Sequence, residues 1–157
     1  MKASSLLAVS SILIVSGCTS ITVEPVSNDY SLEHVCIQNN PKVIIDDFVG
    51  VVEDRFQYHG ITTEFVDFVP ESCNYKLTYT ALRSWNFVPY LAHAELRLYK
   101  NHKKIAYGEY HLDGKGGLDM SKFDSVKEKM TPVIDQMLGK AETNSVFEVS
   151  REIAFLF

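Results

Sequence analysis

Apolar and polar residues alternate over 75–85, 91–99 and 105–112, and amphipathic helical stretches lie near 45–56 and 123–137. A run of strands flanked by helices predicts an α+β domain, since each sheet face or helix stripe must bury its apolar side against another layer. The expected architecture is a mostly antiparallel sheet of about five strands with two helices packed on one face, in the order β-α-β-β-β-β-α.

Residues 19–30 (TSITVEPVSNDY) carry Pro25, Ser27 and Asn28 with little periodicity. They read as a tether, with a short edge strand over 21–23 as the alternative. Residues 32–38 read as a first strand, Val35 and Ile37 on one face and Cys36 on the other. Asn40-Pro41 predicts a helix start, an Asn cap followed by a proline whose missing N–H costs nothing there. Asp46 and Asp47 suit the positive end of the helix dipole. Ile45, Phe48, Val52 and Phe56 make one apolar stripe, and Gly60 ends the helix.

Strands are then expected over 61–69, closed by Pro70, over 75–85, over 91–99 and over 105–112. Asn101-His102 stands where a two-residue hairpin turn is needed. Gly114-Lys115-Gly116-Gly117 breaks the pattern, and Ser121 opens a second helix with Asp124 as its capping-box partner. Its apolar stripe is Phe123, Val126, Met130, Val133 and Met137, and Pro132 predicts a kink or a division into two short helices. Residues 144–157 end apolar and read as a short packed helix.

At the N-terminus, Lys2 precedes an apolar run over 6–15 (LLAVSSILIV), and the small residues Ser16 and Gly17 lead into Cys18. A spanning helix needs about 20 apolar residues, so this stretch reads as an export signal. Val15-Ser16-Gly17-Cys18 resembles the lipobox of bacterial lipoproteins. That resemblance implies cleavage between Gly17 and Cys18 and a diacylglycerol thioether on the cysteine sulfur. Each buried methylene adds roughly 0.8 kcal/mol, so two or three acyl chains hold a protein to the membrane. Thr19, where an aspartate would stand in retained lipoproteins, is similar to proteins sorted to the outer membrane and facing the periplasm. The expected divisions are 1–17 signal, 18–31 lipidated N-terminus and tether, 32–140 periplasmic domain, and 141–157 tail.

Removal of Lys2 with the signal takes the formal charge from −5 to −6. No basic patch points to nucleic acid, and none is expected as a partner. Three cysteines less the lipidated one leave Cys36 and Cys73, an even pair in an oxidising compartment. A bridge between them closes a loop of about 38 residues and contributes roughly 3–4 kcal/mol; two buried free thiols are the alternative. No Cys-x-x-Cys spacing suggests redox activity.

Motifs for catalysis fail one by one. The glycine cluster lacks the Walker spacing, and Asp119 occupies the third glycine position of a dinucleotide fingerprint. No Gly-x-Ser-x-Gly occurs, and Asp46 and Asp47 point about 100° apart on a helix. The sharpest chemical constellation is a metal site. His93 and Glu95 share one strand face, and Glu109 and His111 share one face of the next. With His93 opposite His111, all four converge into two imidazoles and two carboxylates suited to zinc. That register requires a three-residue loop. The two-residue loop pairs Lys100 with Lys103 and sets His93 opposite Tyr110, so a slip of one residue makes or removes the site. The shorter loop is the commoner chemistry, and no metal ligand or cofactor is expected. Trp85, Phe87 and Tyr90 cluster around Pro89 in the expected connection between two strands. They read as a loop folded over the sheet end, or alternatively as an exposed anchor for a peptide or glycan.

Cys36-Ile37, Asn39-Asn40-Pro41, Cys73, Tyr75, Leu77, Ser84-Trp85, Tyr90-Leu91, Tyr110, Gly114 to Leu118, Lys122-Phe123 and Pro132-Val133-Ile134-Asp135 together resemble a family of small uncharacterised bacterial envelope lipoproteins. The resemblance covers roughly residues 32–138, with Asn86 and His102 as departures from the pattern. It implies lipidation and the Cys36–Cys73 bridge, and it implies no activity. The functional expectation is a lipid-anchored, non-catalytic binding or scaffolding module with a periplasmic protein partner. The alternative is a zinc- or small-ligand-binding protein centred on His93 and His111.

Overall fold

The computed structural model describes residues 19–113 and 120–139. Gly17, Cys18, the glycine cluster over 114–117 and the helix expected over 144–157 lie outside them. The described elements are β1 (Thr19–Glu24), β2 (His34–Gln38), α1 (Phe48–Tyr58), β3 (Thr62–Val66), β4 (Tyr75–Asn86), β5 (Val88–Lys100), β6 (Lys103–Leu112) and α2 (Val126–Met137). A short 3-10 turn, Met120–Phe123, precedes α2.

The six strands form one sheet in the order β1-β6-β5-β4-β2-β3. The α+β class holds, but the sheet is mixed. β2 runs parallel to both β3 and β4, and the remaining neighbours are antiparallel. Parallel neighbours need a crossover connection, and α1 supplies it between β2 and β3. Val35, Cys36 and Ile37 are all buried, as expected of a strand covered on both sides. The stretch over 19–30 contributes more than a tether. β-branched Thr19, Ile21, Thr22 and Val23 pair with β6 from Thr19↔Leu112 to Glu24↔Tyr107.

Both helices lie on one face. Phe48 of α1 meets the Tyr79 ring at 5.6 Å, and a Cβ on Gly108, in the same row of the sheet, would come within 2.8 Å of Val133 of α2. Glycine is what lets α2 approach β6 so closely. Phe48, Val52 and Phe56 from α1 and Met130, Val133, Ile134 and Met137 from α2 fill the core against Leu77, Leu96 and Leu98.

α1 starts later than Asn40-Pro41 predicts. Asn40 is tied to the sheet: its side-chain amide donates to the Tyr79 carbonyl at 2.8 Å, and its own amide donates to the Tyr79 hydroxyl. Its side-chain oxygen accepts from the Lys42 amide, a local turn in place of a helix cap. Gly60 does close the helix, at φ 77°, with the Gly60 and Ile61 amides donating back to Gln57 and Phe56. α2 is capped by Ser125 and Glu128 in a complete capping box, four residues beyond the expected Ser121. Asp124, expected as a cap partner, closes the preceding turn through its amide to Ser121. The helix continues through Pro132 as a single element.

Cys36 and Cys73 are disulfide-bonded, with Cα atoms 6.3 Å apart, within the usual range for a bridge. A second tie joins the helices. Asp135 of α2 is buried and accepts hydrogen bonds from Arg55, and its carboxylate meets His59 Nε2 at 2.6 Å. Burial alone raises the Asp135 carboxyl, but the hydrogen bonds and charge of Arg55 and His59 outweigh it and hold the pKa below 3.8.

Candidate functional site

The sheet face away from the helices carries rows of polar side chains, because every second residue of each strand points there. Cα registers place Leu82, His93, His111 and Ser20 in one row, and Thr80, Glu95, Glu109 and Thr22 in the next. His93 therefore stands opposite His111, against the sequence expectation of Tyr110. The expected turn is nonetheless present. Asn101 and His102 have φ of 48° and 68°, and Lys100 pairs with Lys103. The two facts are reconciled by a bulge between Leu98 and Tyr99, where Ile105 has no partner and the register moves by one.

The bulge brings the four predicted side chains together. His93 Nδ1 and His111 Nδ1 are 3.2 Å apart, and Glu109 Oε1 lies 3.8 Å from His93 Nδ1. The outer nitrogens face carboxylates: His93 Nε2 is 3.6 Å from Glu95 Oε1, and His111 Nε2 is 3.7 Å from Asp113 Oδ1. Tyr107, which the sequence reading overlooked, donates to Glu109 Oε2 at 2.8 Å or to Glu95 Oε1 at 3.1 Å. Burial, the hydrogen bond to Glu109 and the charge of Glu95 push its phenol upward, so it stays a donor at neutral pH. Arg97 pairs with Glu95. Burial raises the Glu95 carboxyl, but Arg97 and Tyr107 outweigh it and leave it lowered, a standing negative charge beside His93. His93, Glu109 and His111 are the donors able to hold a cation. The sulfurs near His34 are bonded to each other and cannot ligate.

The second feature is the β4–β5 hairpin. The aromatic segment expected to fold over the sheet end instead continues the two strands, paired through Trp85↔Pro89 and Asn86↔Val88. Trp85 and Phe87 are 71% and 90% exposed, and Leu82 and Val88 are also exposed. Tyr90 alone of the cluster turns inward, its ring edge-on to Phe123 at 5.9 Å. Phe87 sits at φ 62°, a left-handed conformation unfavourable for a bulky side chain by about 1–2 kcal/mol. A cleft of about 240 Å³ at the hairpin base, lined by Ile44, Val88, Pro89 and Phe123, is smaller than the roughly 300 Å³ at which ligand pockets begin. It reads as a seam.

The registers also fix which end of the sheet this is. Thr19 pairs with Leu112 and His111 with His93, so β1 begins level with residue 92 of β5. From that level the hairpin runs on for about five residues, roughly 16 Å at the rise of a strand. The residue that follows Cys18 and the exposed aromatic tip share one end of the molecule.

No family model matches the chain, and no curated protein is similar to it in sequence. Among solved structures, the PelC dodecamer from Paraburkholderia phytofirmans is 9% identical, with 73% of this chain and 98% of that chain covered and a TM-score of 0.48. A single-substitution form of that dodecamer is 11% identical, with 73% and 96% covered and a TM-score of 0.46. A minor lipoprotein from Acinetobacter baumannii is 8% identical, with 80% and 90% covered and a TM-score of 0.30. Among the described residues no helix is long and apolar enough to cross a membrane.

Proposed function

We propose that the chain is a lipid-anchored protein of the bacterial envelope, acylated on Cys18 at the periplasmic face of the outer membrane. It acts there as a non-catalytic binding module, with its aromatic hairpin seated in the lipid interface. One observation carries this reading: β1 begins at Thr19 on the sheet end from which Trp85 and Phe87 project. Amphipathic and aromatic side chains partition into the interfacial layer, and a tip placed beside an acyl anchor meets it at high effective concentration. Lipid chains on Cys18 and the hairpin then make two attachments to one surface, orienting the domain toward a periplasmic protein partner. Nucleic acid has no place in this role.

Trp85 is the only tryptophan in the chain, so its fluorescence reports the tip directly. In vesicles with brominated acyl chains, the acylated protein is expected to show quenched, blue-shifted emission. Unquenched emission at the wavelength of water-exposed indole would refute the seated hairpin. Labelling with a radioactive fatty acid that persists in Cys18→Ser would refute the anchor.

A further inference from the structure

We propose that His93, His111 and Glu109 form a zinc site on the open face of the sheet, independent of whether Cys18 is acylated. The spacing of the two histidines is the first argument. Zinc bonds imidazole nitrogen at about 2.0–2.1 Å in tetrahedral geometry, which sets two such nitrogens roughly 3.3 Å apart. His93 Nδ1 and His111 Nδ1 are 3.2 Å apart.

The second argument is what stands behind each ring. A metal-bound imidazole commonly donates its other N–H to a carboxylate, which fixes the tautomer and raises ligand basicity. Glu95 faces His93 Nε2 and Asp113 faces His111 Nε2. Protons on both outer nitrogens leave two Nδ1 lone pairs aimed at one another, a repulsive contact that a cation between them turns attractive. The competing arrangement moves one proton inward and makes a plain imidazole–imidazole hydrogen bond.

Glu109 supplies the third ligand. Oε1 lies on the His93 side, and Oε2 is steadied by the Tyr107 hydroxyl. The donor atoms of His93, Glu109 and His111 all lie within 4.8 Å of one another, and rotation about the Glu109 side-chain torsions can draw its carboxylate in to tetrahedral spacing. All three ligands project from paired strands, which hold side chains more firmly than loops do. His111 is about half exposed, which leaves the fourth position open to water. Two imidazoles with one carboxylate favour zinc over calcium or magnesium, which prefer all-oxygen shells.

Binding is read on the full mature chain in detergent, without a histidine tag, by titration with zinc and by metal content after dialysis. One zinc per chain is expected, with affinity reduced at least about 100-fold in both His93→Ala and His111→Gln. Zinc should also raise the melting temperature of the unaltered protein and leave both variants unmoved. His111→Gln, at the more exposed ligand, keeps the test decisive should His93→Ala fail to fold. His102→Ala, on the hairpin turn, should bind as the unaltered chain does. No binding by the folded protein at 100-fold molar excess overturns the proposal, as does binding unchanged in either ligand variant. Tight binding of nickel or copper with none of zinc overturns the zinc assignment.

Discussion

In the parallel half of the sheet, β2 lies between β3 and β4, α1 closes over it, and the Cys36–Cys73 bridge encloses the whole crossover. In the antiparallel half, β4, β5, β6 and β1 form long ladders that carry the histidine pair and the exposed hairpin with no covalent tie. The two halves meet where Asp135 of α2 joins Arg55 and His59 of α1. Half of the molecule is clamped shut, and the other half presents its chemistry on strands whose positions are set by pairing alone. The difference assigns the bridge to holding the crossover in place, since the site residues on β5 and β6 lie outside its loop.

The largest effect is expected where the halves join. Asp135→Asn removes the buried carboxylate charge that Arg55 and His59 both engage, and should cost about 3–5 kcal/mol in urea unfolding. The same contact has a pH signature. Because the Asp135 pKa is depressed below 3.8, its contribution is complete above that value. It is lost as pH falls through the lower, folded-state value. Unfolding midpoints that stay flat down to about pH 2 would show that the pair does not act this way.

Somewhat smaller is the effect of opening the clamp. Cys36→Ser with Cys73→Ser should cost roughly 3–4 kcal/mol, and hydrogen exchange should rise first in α1 and β3 while the β5–β6 ladder stays protected. Equal loss in both halves would mean that they unfold as one unit and that the division between them is only topological.

The smallest effect has the opposite sign. Phe87→Gly relieves a left-handed residue and should raise stability by about 1 kcal/mol, while weakening attachment to vesicles. A variant that is both less stable and fully attached would show that Phe87 serves the fold and not the surface.

Pattern reading reached the elements built on local alternation and missed those set by distant partners. The strands over 75–85, 91–99 and 105–112, the Gly60 cap, the Asn101-His102 turn and most of both helical stripes were legible, while Ile45 and Phe123, counted in those stripes, lie just before α1 and α2. The parallel neighbours of β2 were not legible, because a five-residue strand whose three central residues are all buried carries no mark of which strands flank it. Asn40 has the residue type of a helix cap, yet it is spent on Tyr79, a contact that only the folded chain creates. Ser121 and Ser125 each precede an acidic residue by three positions, and only Ser125 has a glutamate long enough to reach back to its amide.

The histidine site shows the same limit most sharply. Its four side chains were identified from strand alternation, and its assembly turned on one unpaired residue. Ile105 is apolar and β-branched, an ordinary strand residue, so its type does not distinguish it as the extra residue of a bulge. Tyr107 was hidden for another reason: a tyrosine in a strand suggests packing, and its role arises only because the cross-strand register sets carboxylates around its hydroxyl.

The place where β1 begins has a mechanical consequence. If Cys18 is acylated as proposed, the strand begins at the very next residue, and a tug on the domain would be felt at once by the ladder from Thr19 to Glu24. A pull directed along the strand axis would load all its rungs in parallel instead of peeling them singly. Anchorage of this kind resists extraction by sharing the load, and it denies the domain the swinging radius that a flexible leash would allow.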